Sequence, residues 1–162
     1  MKIGGEKLAV AKPVLVIIPR TDDAGEPADI VFKCGPVTDY EEFEQLCPRP
    51  EPRKKTFPAD SGKPDEILIN EPQYTEALDA WGLKKSSWLF VASLNATEGL
   101  EWELVKAEDP ETWVKWQDEL RESGLNDVET AKIMDGIMEA NSLSEDRMRE
   151  ARERFFTAEA AE

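Results

Sequence analysis

Apolar positions recur along this chain with different periods, and each period predicts a different element. Over Val14–Ile18 they run without a break, are mostly β-branched and are flanked by Pro13 and Pro19. That composition favours a strand over a helix. The turn-rich stretch Arg20–Pro27 follows, and Ala28–Lys33 is a second strand candidate. Together they predict a β-hairpin with a long loop. An isolated hairpin is marginal in water, so this one must pair with further strands or pack on helices. Residues 1–11 are small and polar, a loose arm or a short first strand.

Gly35-Pro36 ends the second strand. Thr38 or Asp39 then offers an N-cap with Glu41 and Glu42 three residues on, which predicts a short helix Tyr40–Leu46. Its Tyr40, Phe43 and Leu46 would form one buried face. Residues 47–72 break the pattern: six prolines fall in that stretch. Alternate prolines remove backbone donors and favour an extended, semi-rigid connector. Such a length without secondary structure suggests a functional or wrapping segment. Within it, Glu66–Asn70 is either a short strand or an apolar latch onto the core.

The helical period begins at Pro72, a good first-turn residue. Tyr74, Ala77, Leu78 and Trp81 form one stripe, which Trp88, Val91 and Asn95 continue. This predicts one long helix to about Thr97, stopped at Gly99, with a kink or break at Gly82. Leu100–Val105 alternates apolar and acidic residues and fits a short strand or a one-turn helix. Asp109-Pro110-Glu111 is a helix start, Trp113, Trp116 and Leu120 share one face, and Gly124 closes the helix. Asn126 with Glu129 is a capping box opening a helix through Met138, with Ala131, Met134, Ile137 and Met138 as its apolar face. Ser144 caps a last helix on which Met148, Ala151 and Phe155 repeat, with Phe156 adjoining. All five tryptophans lie between residues 73 and 120, so Tyr74, Trp81, Trp88, Trp102, Trp113 and Trp116 are the predicted core. The expected fold is α+β and mostly helical. It comprises a small β portion with a short helix (1–46), a Pro-rich connector (47–72), a bundle of about four helices (73–158) and a frayed tail (159–162).

Charge narrows the function. The 162 residues carry a net charge of −15, and residues 107–162 alone hold 16 acids against 7 bases. Such a surface repels nucleic acid and anionic lipid and favours solubility or a basic partner. A solvated acidic helical face explains it most simply. No apolar run approaches the roughly 18–20 residues of a membrane span, and the N-terminus lacks the apolar core of a secretion signal. The expected location is the cytoplasm.

Candidate chemistry is sparse. With no histidine, the commonest general base and metal ligand at neutral pH is missing, and Cys34 and Cys47 alone cannot build a structural zinc site. They are expected to be free thiols. No Gly-rich phosphate loop, nucleophile elbow or paired-histidine zinc motif occurs, so neither an enzyme nor a cofactor is expected. The acid pairs Asp22-Asp23, Glu41-Glu42 and Glu145-Asp146 sit at turns or helix starts, where capping explains them. Arg49, Arg53, Lys54 and Lys55 make a small basic cluster, better read as a solvated linker than a nucleic-acid patch. Trp113 and Trp116 could stack a nucleobase, but they sit on a core stripe. The surface of most interest is the last two helices: Met134, Ile137, Met138, Met148, Phe155 and Phe156 form a soft apolar face. It can fill a core, dock a partner helix or be shared with another subunit.

One resemblance adds to this. The chain runs Tyr74-x2-Ala77-x3-Trp81, Ser87-Trp88-x4-Ser93-Leu94, Leu100-x-Trp102-x2-Val105, and Asp109-Pro110-x-Thr112-Trp113-x2-Trp116-x2-Glu119-Leu120-x3-Gly124. It continues with Ile133-x3-Ile137-x2-Ala140-Asn141-x-Leu143 and Glu150-Ala151-Arg152-x2-Phe155. Over about half its length it resembles the tail assembly chaperones of long-tailed bacteriophages. The two strands leading to the Pro-rich Cys47–Pro52 are also similar to that group. The resemblance implies a homo-oligomer that coats the hydrophobic tape measure protein until tail tube subunits polymerise around it. It carries over no catalytic residues. Two other classes fit the pattern: a structural virion component, or an acidic mimic of DNA. Mimicry needs acids spaced like phosphates, whereas Arg147, Arg149, Arg152 and Arg154 interrupt these.

Overall fold

The computed structural model describes residues 2–3, 6–7, 11–142 and 145–159, with side chains over 11–142 and 145–154. The fold is α+β and mostly helical, as the pattern predicts: an antiparallel hairpin followed by about four helices. A two-residue ladder at the start, β1 (Lys2–Ile3) with β2 (Glu6–Lys7), precedes the main hairpin of β3 (Val14–Ile18) and β4 (Ile30–Cys34). Val14 stands opposite Cys34 and Ile18 opposite Ile30. Strand alternation then sends Val14, Val16 and Ile18 inward and Leu15 and Ile17 outward. The connecting loop is tied by Asp22, whose Oδ1 accepts the N–H groups of Ala24 and Glu26, each at 2.9 Å.

The inner face of this hairpin packs on α4 (Asp127–Ala140), and the C-terminal half of α2 (Pro72–Leu94) packs on β4. Two glycines make the close approach possible. A Cβ at Gly35 would lie 2.8 Å from Ala96 Cβ, and one at Gly136 only 2.3 Å from Val16 Cγ2. The helix therefore seats directly on the strand.

Backbone groups at the β4 edge are satisfied from α2 and its exit turn. Gly35 N–H donates to Ser93 O at 2.8 Å, Lys33 N–H donates to Thr97 Oγ1 at 2.9 Å, and the Thr97 hydroxyl donates to Lys33 O at 3.2 Å. Below this, Ser93 Oγ donates to Gly35 O (2.7 Å), and Asn141 Oδ1 accepts from Val37 N–H (2.7 Å). Ser93 is fully buried and depends on such partners, since an unpaired buried polar group costs about 1–3 kcal/mol.

At the other end of the core, Phe43 of α1 (Glu41–Leu46) sits among Trp81, Trp88 and Trp113 with ring centroids 5.7–5.9 Å apart. Offset pairs of this kind each add about 0.5–1.5 kcal/mol beyond area burial. Three of the indole N–H groups donate to an oxygen: Trp81 to Cys47 O (3.0 Å), Trp102 to Asn95 Oδ1 (2.7 Å) and Trp113 to Lys106 O (3.0 Å). Trp88, Trp113 and Trp116 are buried, Trp81 and Trp102 half-buried against the core. Tyr74 is half-buried and lies outside that core, because α2 extends past the body at its first turns.

Several elements differ from the expectation, each for a local reason. α1 begins at Glu41, one residue late, and its N-cap Tyr40 makes no side-chain cap; Asp39 Oδ1 instead accepts from Glu41 N–H at 3.3 Å. Leu46 is exposed. The Pro-rich stretch holds a small antiparallel hairpin, β5 (Arg53–Lys55) with β6 (Glu66–Leu68), so Glu66–Asn70 takes the short-strand alternative, and Ile67 and Ile69 stay exposed rather than latching on the core. α2 runs unbroken through Gly82, which is exposed and unopposed. Residues 100–105 form neither strand nor helix. The Asp109-Pro110 start gives turns and a 3-10 segment, Trp113–Lys115, before α3 (Trp116–Glu122), with Gly124 at φ 90° beyond its end. The capping box of Asn126 and Glu129 forms as expected. Ser144 lies outside the described residues.

Candidate partner-binding surface

The predicted partner face divides between core and surface. α4 buries Ile133, Gly136, Ile137 and Ala140. Ile137 is therefore a core residue and presents nothing to a partner. Ala131 is exposed, while Met134 and Met138 lie half-buried at the edge of that face. Met134 Sδ accepts from Gln117 Nε2 at 3.7 Å, which ties it to α3.

Met148 lies on α5 (Glu145–Glu159) and is 45% exposed. Every described side chain of this helix, from Glu145 to Arg154, is exposed. Phe155 and Phe156 belong to the backbone of α5, and their side chains lie outside the described residues. Between α4 and α5 is a surface hollow of about 310 Å³ with Met148 and Ala151 as its apolar part and Glu139, Arg147 and Arg154 as its charged rim. Arg147 pairs with Glu139 at 2.8 Å and Arg149 with Asp146 at 2.5 Å. Met148 thus lies on an open helix face and Ile137 in the core, a division the sequence pattern could not make because both fall on apolar stripes.

Other charged clusters are occupied locally. Arg53 pairs with Glu71 at 2.5 Å and Lys54 with Asp65 at 2.8 Å, which lowers the Asp65 carboxyl through that hydrogen bond. Arg49 stacks over Trp81, and Lys55 and Lys63 over Phe57. The basic run of the Pro-rich segment is thereby engaged within its own neighbourhood.

The buried carboxylate that the sequence did not flag is Glu119. It accepts the backbone N–H groups of Glu103, Leu104 and Val105, the last two at 3.0 Å. This holds the 100–105 loop in place of regular structure. The second carboxylate of note is Glu129, held to about pKa 2 by the Arg20 guanidinium and by the Asn126 N–H. Both have structural partners. Cys34 is buried and Cys47 half-buried, and both are free thiols. Burial pushes Cys34 up to about 11.

Among the described residues no group of three or more His, Cys, Asp or Glu side chains could hold a metal ion. Among those residues, too, no helix is long and apolar enough to cross a membrane. No family model, curated protein or solved structure matches this chain.

Proposed function

We propose that this chain is a non-enzymatic assembly chaperone of a long-tailed bacteriophage. In this reading it acts in the host cytoplasm as an oligomer, binding the tape measure protein and keeping it soluble until the tail tube forms. The observation that carries the reading is α5, a helix exposed on its described side chains, with Met148 and Ala151 lining a surface hollow against Glu139 of α4. A flexible thioether adapts to varied apolar side chains, which suits a client that offers many similar helical turns rather than one epitope. A net charge of −15 supports the same reading, since self-repulsion keeps a loaded complex dispersed. The resemblance over residues 74–156 supplies the client.

A tagged pull-down from infected or lysogenic cells, with the co-purifying proteins identified by mass spectrometry, tests this. A long coiled-coil tape measure protein should co-purify, and the chain should be missing from finished particles. Its presence in those particles would overturn the reading and make it a structural virion component. Deleting residues 145–162 should abolish recovery of the client while leaving the tryptophan fluorescence of the core unchanged.

A further inference from the structure

Two helices carry bare faces that match one another. On α5, Met148 and Ala151 form an exposed apolar stripe, with Met148 at 45%. At about 100° per residue, Arg152 falls on one side of that stripe and Arg154 on the other, while Asp146, Glu150 and Glu153 fall on the back of the helix. A polar helix of this length is marginal alone in water, and all its described side chains are exposed, so it needs a surface to lie on.

The first half of α2 offers such a surface. Glu76, Asp79, Ala80 and Leu83 are exposed and share one side of the helix, opposite the half-buried Tyr74, Leu78 and Trp81. Among the described residues, none of Glu76, Asp79, Arg152 and Arg154 forms an ion pair. The spacing agrees as well as the charge. Antiparallel helices that set Leu83 against Met148 bring Asp79 against Arg152, each about 6 Å along the axis from its apolar neighbour. Glu76 and Arg154 follow at about 10 Å, acid against base again. The parallel orientation would instead bring Asp79 toward Glu145.

Within one copy both faces stay exposed, so the contact joins two copies. Two α5 helices laid together would line both sides of their seam with arginines, which opposes that pairing. We propose that α5 of one copy docks antiparallel on the first half of α2 of a second copy. A net charge of −15 resists indiscriminate association, so local complementarity decides which faces meet. Each copy offers one face of each kind, and the contact closes as a twofold pair or a ring. Resting on the function proposed above, the contact has a further role: the client seeks the same Met148 stripe and must displace the neighbour's α2 to reach it.

Sedimentation equilibrium of the purified full chain, without client, tests the contact. The chain should associate as its concentration rises. Glu76→Arg with Asp79→Arg, or Arg152→Glu with Arg154→Glu, sets like charges across the contact. Each pair of changes should weaken association by at least about tenfold while the tryptophan fluorescence of the core stays unchanged. Either pair gives an answer if the other disturbs the helix that carries it. All four changes in one chain restore opposite charges and should restore association, as should an equal mixture of the two double variants. A wild-type chain that stays monomeric at every concentration would overturn the proposal. So would an oligomer indifferent to both reversals, or a lack of recovery with all four changes. Because no client is present, failure here leaves recovery of the client in the pull-down untouched, and loss of the client with association intact overturns the chaperone reading alone.

Discussion

A methyl group at Gly136 would lie 2.3 Å from Cγ2 of Val16 and 3.3 Å from the Cys34 sulfur. Neither neighbour can yield easily, because valine is stiff at χ1 and the thiol is fully buried. Gly136→Ala should therefore destabilise the protein by about 1–3 kcal/mol, the usual cost of overpacking, in spite of alanine's higher helix propensity. At Gly82, in the exposed first half of α2, nothing lies within 4 Å of the added carbon. The same substitution there should stabilise by up to about 1 kcal/mol. Urea unfolding of the two variants reads both signs, and a shared sign would contradict this packing.

The Glu119 carboxylate does the work of a strand partner for Glu103, Leu104 and Val105. Glu119→Gln keeps the size but turns one acceptor oxygen into an NH₂ donor facing those N–H groups. A loss of at least about 2 kcal/mol is expected, since charge-assisted bonds are among the strong ones and an unmet buried donor adds its own penalty. Amide exchange at Leu104 and Val105 should quicken more than at Ile133. Unchanged exchange at the two loop amides would show that the loop stands without the carboxylate.

Acid should weaken the hold of the Arg20–Glu129 pair on the fold. The guanidinium joins the exit of β3 to the first turn of α4, with Nη2 and Oε2 2.8 Å apart, and holds the carboxyl at about 2 against an ordinary 4.5. A depressed carboxyl pKa contributes stability in full above the ordinary value and loses it as pH falls toward the folded one. Stability should thus decline between about pH 5 and pH 2 as this carboxyl protonates. Glu129→Gln keeps an acceptor for the capping box while removing the titration, so its stability profile should be flatter across that window. Denaturation midpoints at a series of pH values distinguish the two slopes.

Cys34 has no exposed surface, its Sγ donates to Ile133 O at 3.9 Å, and burial pushes its pKa up to about 11. Thiolate is the reactive form, so this residue should be nearly inert in the native state. A thiol reagent at neutral pH should modify Cys47 first, with Cys34 following only at the rate of opening. Mass spectrometry of the labelled peptides would show the order, and equal rates would mean that the face between β4 and α4 is open.

Elements whose instructions are local were legible in the sequence. The proline-bounded run Val14–Ile18 and the Asn126–Glu129 capping box each carry their signal within a few residues, and both form. Features that rest on distant partners were not. Leu100–Val105 has an alternating pattern, yet the N–H groups of Glu103, Leu104 and Val105 go to a side chain 14–16 residues away, which no window of periodicity can reveal. The β5–β6 hairpin begins in Arg53-Lys54-Lys55, where charge and prolines hide any strand period. On α4 the apolar stripe drawn through Met134 and Met138 is offset from the buried one, because Gly136 looks like a gap in the pattern and is in fact the contact. Met148 on α5 is exposed whereas Ile137 on α4, equally apolar, is fully buried, and no apolar period distinguishes the two.

The hydrogen bonds from Arg20 to Glu129 and from Val37 to Asn141 span 109 and 104 residues of chain. During synthesis the hairpin of β3 and β4 therefore leaves the ribosome long before the helix that covers its inner face. At about 5–20 residues per second, Val16, Ile18 and Phe32 wait roughly 5–20 seconds for that cover. Nascent chains in that interval carry an apolar sheet face without a lid, so the yield of folded protein is set by what shields the hairpin on the ribosome as much as by the stability of the finished fold.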